Sequence, residues 1–100
     1  MSLPLIFRDE ALADLDDAYL WYEEQRQGLG VEFIRAIETR LEQIQSNWKQ
    51  FPRIRSIIRR AIVSRFPYAI FFIEQGQFIS IIAVMHHARN PGHWQGRAPG

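Results

Sequence analysis

Residues 56–85 read SIIRRAIVSRFPYAIFFIEQGQFISIIAVM. Three apolar runs stand out: Ser56 to Phe66 is rich in isoleucine and valine, Tyr68 to Glu74 is aromatic and β-branched, and Phe78 to Met85 is almost wholly apolar. Pro67 and Gly76 interrupt them with turn signals, so the pattern predicts three strands connected as an antiparallel meander. The unbroken apolar character of the last run predicts a strand inside the sheet, covered on both faces.

The residues before this block follow a different period. Leu3 to Arg8 is a short apolar run ending at Asp9, a residue type suited to a helix N-cap, which predicts a strand passing into a helix. From Ala11, the residues Leu12, Leu15, Tyr19 and Tyr22 recur at spacings of three and four, with Asp14, Asp17 and Glu24 on the other side. Gly28 is the left-handed residue that commonly closes a helix, so this one ends near Arg26. Beyond Gly28-Leu29-Gly30, Phe33, Ile37, Leu41, Ile44 and Trp48 mark a second helix, stopped at Phe51-Pro52. The order is therefore β-α-α-β-β-β. It predicts a small two-layer α+β domain in which a helical hairpin packs on one face of an antiparallel sheet. The opposite face lacks an evident cover, and aromatic surface is expected to remain open there, for a tail or a partner to bury.

One hundred residues form a single domain, 1–100, with residues 88–100 as a C-terminal tail where the apolar pattern stops. Apolar residues at 47% supply a core. The chain has no cysteine, which excludes disulfides and thiol chemistry and suits a reducing, cytoplasmic setting. No signal-peptide pattern and no apolar run of membrane-spanning length is present, so no membrane association is expected.

Charge is divided along the chain. Residues 1–50 carry five basic against ten acidic side chains, a balance of −5, and residues 51–100 carry seven arginines against Glu74 alone, a balance of +6. This predicts that the C-terminal half addresses something anionic. Arg53, Arg55, Arg59, Arg60 and Arg65 fall within thirteen residues, and strand alternation places Arg59 and Arg65 on one face and Arg60 on the other. They read either as phosphate or carboxylate clamps or as edge charges that discourage strand-to-strand aggregation.

His86-His87-Ala88-Arg89-Asn90-Pro91 leaves the last strand, where reactive side chains tend to be displayed. His86, His87 and Arg89 contain the group types for RNA cleavage, although one of two adjacent histidines must point inward on strict alternation. Zinc binding by His86, His87 and His93 is not expected, because no acidic ligand lies nearby. Trp94 and Arg97 sit in a glycine-rich tail, and Trp94 is expected to fold back over the sheet. Serine-protease triads, paired catalytic carboxylates and phosphate-cradling glycine loops are all missing, and no cofactor is expected.

Ala13-Asp14-Leu15 with Trp21-Tyr22 and Gly28-Leu29-Gly30, Arg59-Arg60 with Arg65-Phe66-Pro67-Tyr68, and Ala83-Val84-Met85-His86 with Arg89-Asn90-Pro91 and Trp94 together carry a resemblance. The chain resembles the RelE/ParE toxin superfamily over about residues 5–97, most of all its ParE-like, plasmid-stabilisation branch. The resemblance implies the toxin of a type II toxin–antitoxin pair, neutralised by a cognate antitoxin protein whose segment is disordered until bound. By the same resemblance, Arg59, Arg60, Arg65, Tyr68, Arg89 and Trp94 would meet the antitoxin or the target. ParE-like toxins poison DNA gyrase, whereas RelE-like toxins cleave mRNA on the ribosome. Relatives that cleave RNA generally carry lysines and arginines on the middle strands and often a tyrosine in the C-terminal segment, whereas this chain has Lys49 as its one lysine and Trp94 near the tyrosine's place. An indole is no general acid or base. Cleavage would then depend on His86, His87 and Arg89, and a gyrase inhibitor acting by protein–protein contact is the expected function, with the ribosome and mRNA as the alternative target.

Overall fold

The computed structural model describes residues 2–87. Strand β1 (Leu5–Phe7) leads through Arg8 into helix α1 (Asp9–Gln25). Arg8 occupies the cap position, its carbonyl accepting the N–H groups of Ala11 and Leu12, so Asp9 is the first helical residue and not the cap. Asp9 and Glu10 lie in the first turn, where carboxylates are favoured by the positive end of the helix dipole.

Helix α2 (Leu29–Asn47) runs back along α1, and both glycines of Gly28-Leu29-Gly30 have separate reasons to be glycine. Gly28 adopts φ +90°, the left-handed conformation. Gly30 sits where the helices nearly touch: a Cβ there would stand 2.8 Å from the Tyr19 carbonyl oxygen. The Glu23 carboxylate binds the orphan amides at the start of α2, accepting from Gly28 N–H at 3.1 Å and from Gly30 N–H at 2.8 Å. Gly30→Ala is expected to push the helices apart at a cost of about 1–3 kcal/mol. Urea denaturation checks this, and an unchanged midpoint would show that the hairpin is not packed through Gly30.

A turn of 3-10 helix (Trp48–Gln50) ends the hairpin. Strands β2 (Arg53–Arg55), β3 (Ile58–Ile62), β4 (Tyr68–Glu74) and β5 (Ile79–His86) follow. The sheet order is β1-β5-β4-β3-β2, with β1 parallel to β5 and the remaining pairs antiparallel, so the sheet is mixed where an antiparallel one was expected. The helical hairpin explains the difference: it carries the chain back to the β2 end of the sheet, and the meander then returns to β1 running in the same direction. Strand β2 is an addition to the expected order. Ser56 to Phe66 reads as one continuous strand, but Arg55 and Ile58 pair across a two-residue loop in which Ser56 takes φ 52°. No glycine or asparagine marks that loop.

Both faces of the sheet are buried. On the helix side, Phe33, Ile37 and Ile44 of α2 and Ala11, Ala18 and Tyr22 of α1 pack on Ala61, Ile70, Phe72, Ile79, Ile81 and Val84. On the other side, Ile58, Ala69, Phe71, Ile73, Ile82, Ala83 and Met85 form a second cluster to which neither helix contributes. The inner position of β5, between β1 and β4, and its burial on both faces match the unbroken apolar run. Of the aromatics expected to leave open surface, Phe66 and Phe72 are buried on the helix side, Phe71 is buried in the second cluster, and Tyr68 and Phe78 are half-buried. Trp94, expected to cover this face, lies outside the described residues.

Candidate functional site

The site is set by an irregularity in β5. Phe71 pairs with Ala83 and Phe72 with Ile81, which leaves Ile82 as the extra residue of a bulge. Ile82 and Ala83 therefore both join the second-face cluster, and from Val84 onward the alternation is reset. Val84 turns to the helix side and His86 stands opposite Tyr68. Beyond the end of β1 the edge of β5 has lost its neighbouring strand. There the Oδ2 of Asp14 accepts the Val84 N–H at 3.0 Å. Asp14 reads in the sequence as part of the solvated helix face; its side chain instead continues the ladder that β1 leaves unfinished. Asp14→Ala would strand a buried N–H at a cost of about 1–3 kcal/mol. Thermal unfolding measures it, Asp14→Asn is expected to recover part of the loss, and an alanine variant as stable as the parent would dismiss this role.

Tyr68, His86 and His87 gather at this end of the sheet. The rings of Tyr68 and His86 lie 5.7 Å apart at 67°, and those of His86 and His87 5.9 Å apart at 29°. Strict alternation sends adjacent residues to opposite faces, yet the two imidazoles are neighbours. The reason is that β5 stops at His86: His87 lies past the pleat, and its N–H donates to the Pro67 carbonyl at 3.1 Å. Tyr68 is seated by the core, edge-on to Phe33 at 5.1 Å and to Tyr22 at 6.0 Å. His87 is exposed and His86 half-buried.

The arginines of the block separate. Arg59 pairs with Phe72 and faces the helices, where its guanidinium lies 5.0 Å from the centre of the Trp48 ring and its Nη1 donates to the Phe51 carbonyl. Arg60 pairs with Phe71 on the opposite face, and its buried Nε has no hydrogen-bond partner. Arg65 belongs to the β3–β4 turn at φ 73°, a strained setting for a non-glycine residue. There it bonds Glu32 at 3.0 Å. Alternation places Arg59 and Arg65 on one face; in the structure one is a pin at the foot of α2 and the other a turn residue.

Glu32 holds Arg26 at 2.9 Å as well as Arg65. The Arg26 hydrogen bond, joined by that of Arg65, keeps the Glu32 carboxyl below the usual carboxylate range. Glu32 and Arg65 border a groove of 810 Å³ between α2 and the β3–β4 turn, lined also by Arg35, Ala36, Thr39, Arg40, Gln43 and Ser64. Sequence reading missed the groove, because it is made of residues from a helix and a turn some thirty positions apart. Arg89, His93, Trp94 and Arg97 lie outside the described residues. Among the described residues no group of three or more histidine or acidic side chains could hold a metal, and no helix is long and apolar enough to cross a membrane.

The helical hairpin on a five-stranded sheet is the architecture that the resemblance to the RelE/ParE toxin superfamily implies. The family profile described as "ParE toxin of type II toxin-antitoxin system, parDE" matches residues 5–91. The chain belongs to the ParE toxin family. A solved structure described as "Chromosomal ParDE TA system from P. aeruginosa" contains a chain similar to this one in fold: TM-score 0.75 and 21% identity, over 85% of this chain and 96% of that one. No curated protein matches the chain at a significant level.

Proposed function

We propose that this chain is the toxin of a type II toxin–antitoxin pair, held inactive by a protein antitoxin, and that it acts on DNA gyrase by protein–protein contact. Membership of the ParE family over residues 5–91 carries the reading. The chemistry of the surface supports it. Exposed guanidiniums at Arg35 and Arg65 and an exposed Trp21 are side chains that concentrate binding energy at protein interfaces. The antitoxin is expected to bring carboxylates to Arg60 and Arg65, because Arg60 Nε lacks a partner and the Glu32–Arg65 pair is exposed enough to exchange. In a supercoiling assay the protein is expected to inhibit gyrase, and the cognate antitoxin to relieve the inhibition. Undisturbed supercoiling at a large molar excess of toxin would end the gyrase reading.

One observation favours a second reading. Cleavage of RNA by its own 2′-hydroxyl needs a base for that hydroxyl, an acid for the leaving oxygen and a cation for the phosphorane. The imidazoles of His86 and His87 are close enough to work on one substrate, beside the Tyr68 ring. The cation would have to be an arginine, and Arg89 lies outside the described residues. Ribosome-dependent cleavage of mRNA is therefore the alternative activity.

A further inference from the structure

Lys49, Arg53, Arg55 and Arg59 meet at one corner of the molecule, where the 3-10 turn runs into the β2–β3 hairpin. Arg53 stands directly opposite Arg59 in the strand register. Like charges in that position destabilise a sheet unless something anionic lies between them. Lys49 Nζ and the Arg59 guanidinium lie 5.5 and 5.0 Å from the centre of the same Trp48 ring, which draws a third cation into the group. None of the four has a carboxylate within ion-pair distance: among the described residues the ion pairs are those of Arg26 and Arg65 with Glu32. Edge protection of a three-residue strand needs one or two charges, not four.

We propose that this corner binds the phosphate backbone of double-stranded DNA without regard to sequence. A protein segment would look for an apolar anchor among the cations. The exposed apolar residues of the hairpin, Ile57 at its tip and Ile62 at the far end of β3, offer no seam between them. Single-stranded nucleic acid would look for an aromatic platform. Trp48 is half-buried and its ring is already taken by two cations. What remains is an array of point and fork-shaped donors, suited to phosphates at fixed spacing. The choice of DNA over duplex RNA rests on the gyrase reading, since the duplex held by gyrase would lie beside the docked toxin.

Fluorescence anisotropy with a labelled random-sequence DNA duplex, titrated over a range of salt concentrations, tests this. Three phosphate contacts, from Lys49, Arg53 and Arg55, predict a slope of log K on log salt of about −3, Arg59 being held by the Phe51 carbonyl and the Trp48 ring. The Arg53→Gln/Arg55→Gln double variant is expected to flatten the slope by about 2. Both side chains are exposed and Arg53 opposes Arg59, so a melting temperature at or above the parent's is expected to confirm that it folds. Lys49→Gln, on a different element, is expected to flatten the slope by about 1. No binding at low salt, a slope indifferent to both variants, tighter binding of duplex RNA, or tighter binding of a polyglutamate peptide would each overturn the proposal. The assay contains no gyrase, so its failure leaves the supercoiling result standing, and failure of gyrase inhibition leaves this one standing.

Discussion

Phe33→Ala is expected to cost about 3–5 kcal/mol, the range for truncating a buried aromatic, and to lower the melting temperature by at least about 12 °C. Phe33 is fully buried and is the ring around which the aromatic core turns: Tyr22 at 5.1 Å, Phe66 at 5.4 Å and Tyr68 at 5.1 Å. Two of these neighbours adjoin the candidate site. Phe66 precedes the turn proline and follows Arg65, and Tyr68 is the cross-strand partner of His86. Phe33→Leu, which keeps most of the volume, is expected to recover much of the stability. Thermal melts of the two variants check the order, and a Phe33→Ala protein that melts like the parent would mean that the helices do not hold this end of the sheet.

The second large effect concerns the antitoxin. Removing one partner of a desolvated charge pair costs about 2–5 kcal/mol, so an arginine-to-alanine change at a true contact is expected to loosen the toxin–antitoxin complex at least tenfold. Arg60 is the first choice, since its buried Nε has no hydrogen-bond partner among the described residues. Arg65 is expected to follow with a smaller loss, because it already bonds Glu32 and is widely exposed. Arg59 is expected to lose stability before it loses affinity, its guanidinium being committed to the Phe51 carbonyl and the Trp48 ring. Titration calorimetry on the three single variants separates these outcomes. If all three bind as tightly as the parent, the arginine block is not the antitoxin surface.

The elements with a long, clean period were readable from the sequence, and those that depend on one residue were not. Phe33, Ile37, Leu41 and Ile44 announce α2, and the apolar run Phe78 to Met85 announces an inner strand, because burial of many side chains enforces each pattern. Strand β2 stayed hidden because its turn, Ser56-Ile57, carries no glycine, asparagine, aspartate or proline. The parallel β1–β5 pairing has no local signature, since it joins residues some seventy positions apart. At the candidate site, alternation predicts divergent histidines, and the end of β5 at His86 undoes that prediction, while a single extra residue, Ile82, resets which face His86 takes. Apolar residues dominate β5 on both faces, so a bulge leaves no trace in the composition. Asp14 was similarly misplaced: a carboxylate that completes a sheet edge looks the same in sequence as one in solvent.

The choice between gyrase and message follows from whether His86 and His87 are chemistry or architecture. Primer extension on translated mRNA, run beside a gyrase supercoiling assay with the same purified protein and with its His86→Ala and His87→Ala variants, addresses both at once. Intact message is expected with parent and variants alike, together with supercoiling inhibited by the parent. Breaks in ribosome-bound message that vanish in either histidine variant, with supercoiling unaffected, would contradict the gyrase reading and make the Tyr68–His86–His87 corner the active site of a ribonuclease.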